Sequence, residues 1–461
     1  MRALCRSPAV LPSPAVRAEM RANLKLALPL IAAQLAGVGM GATDTVMAGR
    51  LGARELAAVA VSTNLNVVPF VLFMGLFMAA SAIASQRRGA GGDPESLGRF
   101  GRSLLRLALL VALFWFGLVQ LLAAPLLQRL GLDPQTTALA IAYLRTYAGS
   151  AFGLCLFFAL RFLAEGQEAS RPVMLAGLAG LIANALLNWL LIYGAGPIPA
   201  LGVVGSGIAT TLACLVMAAT LAWLYGRDAR LRPLRLFAGR GGEPGARREL
   251  LRLGLPIGAI LLAEAGLFVA VSVLMARIGE QTIAAYQVAI NFASVTFMIP
   301  MGIGFATTVR VGYFQGAGDA VAARLAGYTG MVLGVGNAAF NASLMWLAGG
   351  LIAAAYSRDP AIAAQAAGFL ALAGAFQFFD GLQVTANGAL RGLKDTRIPM
   401  LITLAAYWLL GLPVAWGLAF GLGLGADGLW WGLTAGLGAA ALGLSLRFRR
   451  HSRAPTAVLP Q

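Results

Sequence analysis

Three acids stand where acids are costly. Asp44 follows Gly41-Ala42-Thr43 in the outer part of an apolar run, Glu264 lies between Leu262 and Phe268, and Asp380 follows Phe378 and Phe379. A charge at the centre of a membrane helix costs about 2.5–3.5 kcal/mol on insertion scales. Such residues usually face a cavity or a partner and mark ion or substrate paths. The plainer alternative is a carboxylate pinned to a helix end or paired with an arginine. No Arg or Lys falls inside a run at the depth of Glu264 or Asp380, which weakens that alternative there. Asp44 is closer to the end of its run, so position alone says less about it. Most other acids, among them Glu55, Asp93, Glu95, Asp133, Asp228, Glu243, Glu249, Glu280, Asp319, Asp359 and Asp395, fall in loops or at run ends.

Two acids in an apolar setting are tolerable if they share one proton or one small cation, because sharing removes most of the like-charge repulsion. Their carboxyl groups are then expected to face one cavity within roughly 10 Å of each other, where coupling across a low dielectric is strong. A hard cation such as sodium takes oxygen ligands, and Gln287 and Asn291 can add to the carboxylates of Glu264 and Asp380. Phe292, Phe297, Phe376, Phe378, Phe379 and Tyr407 can line a pocket for flat cationic molecules through their ring faces, although packing or lipid contact is the simpler role for any one of them. Trp430 and Trp431 read as interfacial belt residues.

The elements that must hold these residues follow from composition. Of 461 residues 59% are hydrophobic and only 11% charged, and the mean hydropathy is +0.78. Soluble domains carry about a quarter charged residues, so a cytosolic enzyme and a disordered or fibrous chain are both excluded. Apolar runs at 24–48, 56–84, 103–125, 138–162, 172–193, 201–225, 253–276, 283–309, 327–356, 362–388, 399–421 and 426–446 are each long enough to cross a bilayer, which takes about 20 residues as helix. They are too long for the alternating strands of a barrel, and backbone groups in lipid must be satisfied internally. The expectation is an all-α polytopic membrane protein of twelve transmembrane helices.

The basic residues orient it. The formal net charge is +17, from 35 Lys+Arg against 18 Asp+Glu. With the N-terminus in the cytoplasm, 29 of the 35 fall on the cytoplasmic side and only Arg50, Arg54, Arg129, Arg145, Arg277 and Arg358 on the other, as positive-inside sorting requires. The surplus therefore needs no nucleic-acid partner. Residues 1–23 read as a cytoplasmic arm, or in part as sequence ahead of a start at Met20; 226–252 as a basic cytoplasmic linker; and 447–461 as a basic cytoplasmic tail. With Cys5, Cys155 and Cys214 scattered and His451 alone in the tail, Cys/His metal sites are excluded. No Gly-x-x-x-x-Gly-Lys-Ser/Thr is present, which excludes direct ATP coupling. No cofactor is expected.

The two sides of the linker repeat each other. Shifting by 227 residues aligns 24–91 with 251–318 without a gap: Leu24, Leu26, Leu28 and Pro29 fall on Leu251, Leu253, Leu255 and Pro256, Arg50 and Gly52 on Arg277 and Gly279, Gly75 on Gly302, and Gly89-Ala90-Gly91 on Gly316-Ala317-Gly318. Roughly a third of the aligned positions are identical, above chance for apolar segments. Ala159-Leu160-Arg161 is echoed by Ala389-Leu390-Arg391. Six helices per half is an even number, so the repeat is parallel, related by an axis along the membrane normal: an N-lobe at 24–225 and a C-lobe at 253–446, with a substrate path between them.

The chain resembles the multidrug and toxic compound extrusion (MATE) family and is similar to its NorM-type bacterial branch. The likeness is carried by Gly41-Ala-Thr-Asp-Thr-Val-Met-Ala-Gly49, Leu187-Asn-Trp189, Tyr286-Gln-Val-Ala-Ile-Asn-Phe292 and Ala389-Leu-Arg-Gly-Leu-Lys-Asp395, and runs from about 22 to 448. The resemblance implies a monomeric carrier of two six-helix lobes in a bacterial inner membrane. It implies export of cationic amphipathic compounds in exchange for sodium ions or protons. It places a coupling-ion site, sodium included, on Glu264 and Asp380, and a second on Asp44 with Asn184 and Asn188. The family often has an aromatic hydroxyl one turn before the acid of the tenth helix; here that position is Phe376, which keeps the ring and loses the hydroxyl. The competing reading is a flippase for lipid-linked precursors, which shares the two-lobe fold but calls for a strongly basic cavity. A membrane-embedded enzyme is a third, with no His pair, ligand cluster or Gly-x-Ser-x-Gly to support it.

Overall fold

The computed structural model describes residues 14–194 and 196–452. Among them every regular element is a helix: α1 (Pro14–Gly49), α2 (Ala53–Gly89), α3 (Pro94–Gln128), α4 (Pro134–Tyr147), α5 (Ser150–Gly166), α6 (Ser170–Tyr193), α7 (Gly202–Tyr225), α8 (Ala246–Ile278), α9 (Glu280–Gly316), α10 (Ala320–Tyr356), α11 (Pro360–Gly392), α12 (Arg397–Gly421) and α13 (Gly425–His451). Eleven are long and apolar enough to cross a membrane, and α4 with α5, bent by 41°, makes the twelfth. An even number of crossings puts the start of α1 and the end of α13 on one face, termed here the terminal face.

Many of the acids outside the apolar runs prove to be caps. Asp93 and Asp133 each precede a proline at the first helical position and accept from the backbone N–H of Ser96 and Thr136 at 3.1 Å. Asp319 and Asp359 do the same for Ala322 and Ala361 at 2.9 Å. Each satisfies an orphan donor of a helix start, and proline there costs no hydrogen bond.

Two stretches differ from expectation. Residues 14–23, read as part of a loose arm, are the first turns of α1, held to the second half by Glu19 and Asn23: Arg310 Nη2 donates to Glu19 Oε2 at 2.6 Å and Asn23 Nδ2 to Thr307 Oγ1 at 3.2 Å. Residues 1–13 and 453–461 lie outside the described residues, and 447–451, read as tail, continue α13. The run at 138–162 is broken at Ala148-Gly149, where the Thr146 carbonyl accepts from the Thr211 hydroxyl of α7 at 2.8 Å.

Small residues decide how the helices meet, as expected where apolar burial alone gives no preference for helix over lipid. Gly411, Ala415 and Ala419 of α12 face Gly436, Gly432 and Gly428 of α13, so close that a Cβ on any of the three α13 glycines would meet α12 backbone. The same device joins the halves and shows their symmetry. A Cβ on Gly75 would strike Gly258, and one on Gly302 would strike Ile31; a Cβ on Gly89 would strike the Tyr313 carbonyl, and one on Gly316 the Gln86 carbonyl. Moving the first-half member of the first contact in each pair up by 227, and the second-half member down by 227, gives the second contact. The two halves therefore touch through equivalent surfaces about a two-fold axis along the membrane normal.

All these contacts lie toward the terminal face. Among the described residues the outermost hydrogen bonds between the halves run from Gln34 Nε2 to Met298 Sδ at 3.9 Å and to Met301 Sδ at 2.9 Å. Beyond that level each half packs on itself: a cluster with Ala48, Val59, Tyr143 and Val203 in the first, and one centred on Leu267, Phe376, Trp430 and Leu437 in the second. The halves are closed on each other at the terminal face.

Candidate functional site

Asp44 is held by neutral donors only. It sits in the outer half of α1, 6% exposed. Its Oδ1 accepts from Asn184 Nδ2 at 3.0 Å and from Asn188 Nδ2 at 2.6 Å, and its Oδ2 from the Thr210 hydroxyl at 2.9 Å. Asn184 and Asn188 are one turn apart on α6, so both amides reach the same oxygen. Thr210, on α7, is also 3.1 Å from the Ser206 carbonyl. Its single proton can serve the carboxylate or that carbonyl, not both. Sequence reasoning missed Thr210, a small polar residue indistinguishable there from a packing threonine.

The second cluster lies in the other half. Asp380 is 4% exposed on α11, and its Oδ1 has no hydrogen-bond partner. Asp380 feels the charge of Glu264 on α8, and Gln383, one turn along α11, lies within hydrogen-bonding reach of Glu264. Tyr407 of α12 is fully buried beside both acids with its hydroxyl unpartnered. The Oε1 atoms of Gln377 and Gln383 are likewise buried without donors. Tyr407 lies within a π-helical turn, Ala405–Gly411, a distortion frequent at functional sites. Carboxylate, amide and phenol oxygens without donors are a ligand set for a proton or a hard cation. Of the two acids Glu264 lines a small cavity, with Met74, Met78, Phe297, Phe305 and Arg391 among its other walls.

Other candidates are placed differently. α8 and α9 are antiparallel and meet at Gly279, so Gln287 stands level with Ser272, to which it donates at 3.2 Å. That is two turns, about 12 Å, outward of Glu264. Asn291 is exposed and accepts from the Tyr356 hydroxyl at 3.0 Å. Neither is brought to the acids. Phe376 does not offer its ring to a cation: it is buried, 5.7 Å from the ring of Trp430. Trp430 itself is fully buried among Tyr286, Phe369 and Phe376 and belongs to the core, not to an interfacial belt; Trp431 is half exposed.

The closed end holds charges that the sequence did not reveal. Glu165 of α5 is fully buried and accepts from Arg161 Nε at 2.7 Å. Arg391 of α11 is 5% exposed and electrostatically coupled to Glu165. The guanidinium carbons of Arg161 and Arg391 stand 5.3 and 5.6 Å from the ring centre of Phe305, so the echoed arginines converge on one ring at the seam. Arg391 also lines the cavity that Glu264 enters, so a basic residue does share that space, although eleven positions along α11 separate it from Asp380. Nearer the face, Arg310 donates to Glu19 and, at 3.1 Å, to Glu168, which also pairs with Arg88 at 2.8 Å. Glu168 lies between α5 and α6. Burial pushes its carboxyl up, but Arg88 and Arg310 outweigh burial and hold it below its ordinary value of 4.5.

Comparison with known proteins agrees with this architecture. The MatE family model matches residues 29–190 and again 256–416, one match in each half. The chain is 40% identical over 446 residues to the probable multidrug resistance protein NorM of Xanthomonas campestris pv. campestris, covering 96% of this chain and 97% of that one. It is 39% identical to the multidrug resistance protein PmpM of Pseudomonas aeruginosa, covering 95% and 93%. The fold is similar to that of the eukaryotic MATE transporter AtDTX14 (TM-score 0.84, 23% identity, 95% and 98% covered). It is equally similar to an outward-facing multidrug resistance MATE family transporter (TM-score 0.86, 20% identity, 94% and 96% covered). Two matches to one family model over most of the sequence, and two relatives near 40% identity along almost its whole length, establish that the chain belongs to the MatE family.

Proposed function

We propose that the protein is a secondary active multidrug efflux antiporter, exporting cationic amphipathic compounds in exchange for sodium ions or protons. Members of its family are transporters, not enzymes. Its relatives carry the name multidrug resistance protein. One observation carries the reading further: the acids deep in both halves have no cationic partner. Asp44 is met by two amides and a hydroxyl, and Asp380 keeps a free oxygen beside Glu264. Such groups accept and release a cation or proton without first breaking an ion pair. In this reading the opposite face admits the exchange, and the closed face is held by contacts that can re-form about the two-fold axis. A ligand shifts such an equilibrium only by its differential affinity for the two states, so coupling ion and drug must compete for sites whose shape differs between them.

We read the terminal face as the cytoplasmic side of a bacterial inner membrane, from the 29-to-6 distribution of basic residues. Glu264 and Asp380 form the primary ion site, with Gln383, Gln377 and Tyr407 as further oxygen donors. In this reading the Tyr407 hydroxyl takes the place of the one absent at Phe376. A flippase for pyrophosphate-linked lipids finds one guanidinium in the cavity, that of Arg391, and that one is held by Glu165 and by Thr308 at 3.3 Å. The test is ethidium efflux from vesicles with sodium and proton gradients imposed separately. Uphill efflux driven by either gradient supports the assignment, and efflux indifferent to both overturns it.

A further inference from the structure

We propose that the terminal-face ends of α1 and α8 are equivalent binding sites for the phosphate headgroup of an anionic phospholipid. α8 has 33 residues, about 50 Å of helix against a hydrocarbon core of about 30 Å. Its first turns therefore stand at headgroup level. There a groove of about 480 Å³ is lined by Gly245, Arg247, Arg248, Leu251, Arg252 and Leu255.

The groove has a basic end and an apolar end. Arg247, Arg248 and Arg252 are exposed, and among the described residues no hydrogen bond or ion pair is recorded for any of them. The neighbouring bases behave otherwise. Arg87 pairs with Glu243 and Glu249, Lys394 with Glu249 and Arg447 with Asp395. The acids of this layer are thus spent toward the protein interior, and the outward cations are left for a ligand. Toward the hydrocarbon the groove ends on Leu251, half-buried, and Leu255, 47% exposed. Arg248, Leu251, Arg252 and Leu255 follow the i, i+3, i+4, i+7 spacing of one helix face, so two cations and a track for an acyl chain share a single stripe.

The repeat supplies an independent observation. The 227-residue shift places Arg21, Leu24, Lys25 and Leu28 of α1 on Arg248, Leu251, Arg252 and Leu255. Arg21 and Lys25 are exposed with no recorded partner, and Leu24 and Leu28 are 37% and 63% exposed. Charge at this level serves topology wherever it falls in the loop; topology does not require the same face, the same spacing and the same leucines twice. The ligand class follows from charge. Cations whose neighbouring acids, Glu249 and Glu19, are already paired with Arg87, Lys394 and Arg310 suit a phosphodiester carrying net negative charge, and offer nothing to the ammonium of a zwitterionic headgroup.

The test is native mass spectrometry of the full-length protein in neutral detergent, titrated with dioleoyl phosphatidylglycerol or dioleoyl phosphatidylcholine. Preferential retention of phosphatidylglycerol is expected. R248Q/R252Q should lower it at one site and R21Q/K25Q at the other, each by about 30-fold, since each removed charge contributes about a five-fold loss. The charge-keeping R248K/R252K should retain the lipid, and raised salt should release it from the unaltered protein, which keeps the test decisive if a Gln variant fails to fold. Equal retention of phosphatidylcholine, unchanged retention by the Gln variants, or salt-insensitive retention overturns the proposal. So does displacement by inorganic phosphate alone, which would make the groove a free-phosphate site.

Discussion

Asp44 allows the two readings of an intramembrane acid to be separated by choice of substitution. In Asp44→Asn the remaining carbonyl oxygen can accept from Asn184 and Asn188, as Oδ1 does now. The new amide would face the Thr210 hydroxyl, and that hydroxyl can turn its proton to the Ser206 carbonyl 3.1 Å away and accept from the amide instead. Each hydrogen bond of the cluster then keeps a donor and an acceptor, so the variant should fold and insert. It is a fixed copy of the protonated, uncharged carboxyl, and should export poorly in any gradient. Asp44→Ala has no such exchange. Thr210 can again fall back on Ser206, and Asn184 retains Thr210 at 3.3 Å, but the Asn188 amide is left buried without an acceptor. One stranded buried donor costs about 1–3 kcal/mol, and the space left by the carboxyl adds to that. The expected order of thermal stability in detergent is unaltered protein and Asp44→Asn close together, Asp44→Ala several degrees below. The expected order of efflux from vesicles is unaltered protein alone active. Asp44→Asn exporting at the full rate would make Asp44 a structural residue; Asp44→Ala as stable as Asp44→Asn would refute the hydrogen-bond accounting.

Three further outcomes follow from the other charges. Glu264→Gln and Asp380→Asn should each abolish gradient-driven efflux, with the double variant no worse than either, and a single variant that still pumps uphill would show that the acids do not act as one site. Glu165→Gln leaves the buried guanidiniums of Arg161 and Arg391 facing each other across Phe305 with no acid; breaking a buried pair costs about 3–5 kcal/mol, so yield and melting temperature should fall and recover in part when Arg391→Gln is added, and an unaltered melting temperature would show the pair to be dispensable. Because Arg88 and Arg310 hold the Glu168 carboxyl below its ordinary 4.5, its contribution to closure is present above that value and lost as pH falls through the lowered one. Spin-label distances across the terminal face should therefore lengthen in acid, and Glu168→Gln should remove this part of the response.

How much of this was legible in the sequence depended on how local each cause is. The twelve spans are set by runs of apolar residues and could be read from them, although helices such as α1 and α3 begin nine or ten residues before the run does; Asp-Pro pairs fix the starts of α3, α4 and α11. The repeat was legible because it is a pattern in the chain itself, and its ungapped register proved to be the register of the glycine contacts between the halves. Glu264, Asp380 and Asp44 were visible as charges in the wrong medium. What stayed hidden needs the fold. Glu19 looked like part of an arm because its partner, Arg310, is 291 positions away. Glu165 lies three residues past the run at 138–162, and only the approach of α11 to α5 makes it the centre of a buried cluster. Gln287 and Asn291 have the right chemistry, but the level at which α8 and α9 turn around Gly279 sets them outward of the acids. Trp430 has the composition of a belt residue and the surroundings of a core one.

The symmetry of the frame and the asymmetry of its charges point to a division of labour. The contacts that close the terminal face come in equivalent pairs: Gly75 on Gly258 with Gly302 on Ile31, and Gly89 on Tyr313 with Gly316 on Gln86. They are close packings of uncharged groups, backbone to backbone in three of the four and glycine against the Ile31 side chain in the other. The acids are not paired in this way. The position equivalent to Asp44 is Val271, fully buried; that equivalent to Glu264 is Gly37; and the ion pair of Arg310 with Glu19 corresponds to Ile83 and Ala246, both buried and apolar. On the antiport reading proposed above, a proton or cation at Asp44 would act first on α1, α6 and α7, which supply its hydrogen-bond partners, and one at Glu264 and Asp380 on α8 and α11. Ligands in the two halves would then bias one set of shared packing contacts from different sides, which a frame with identical acids in both halves could not do.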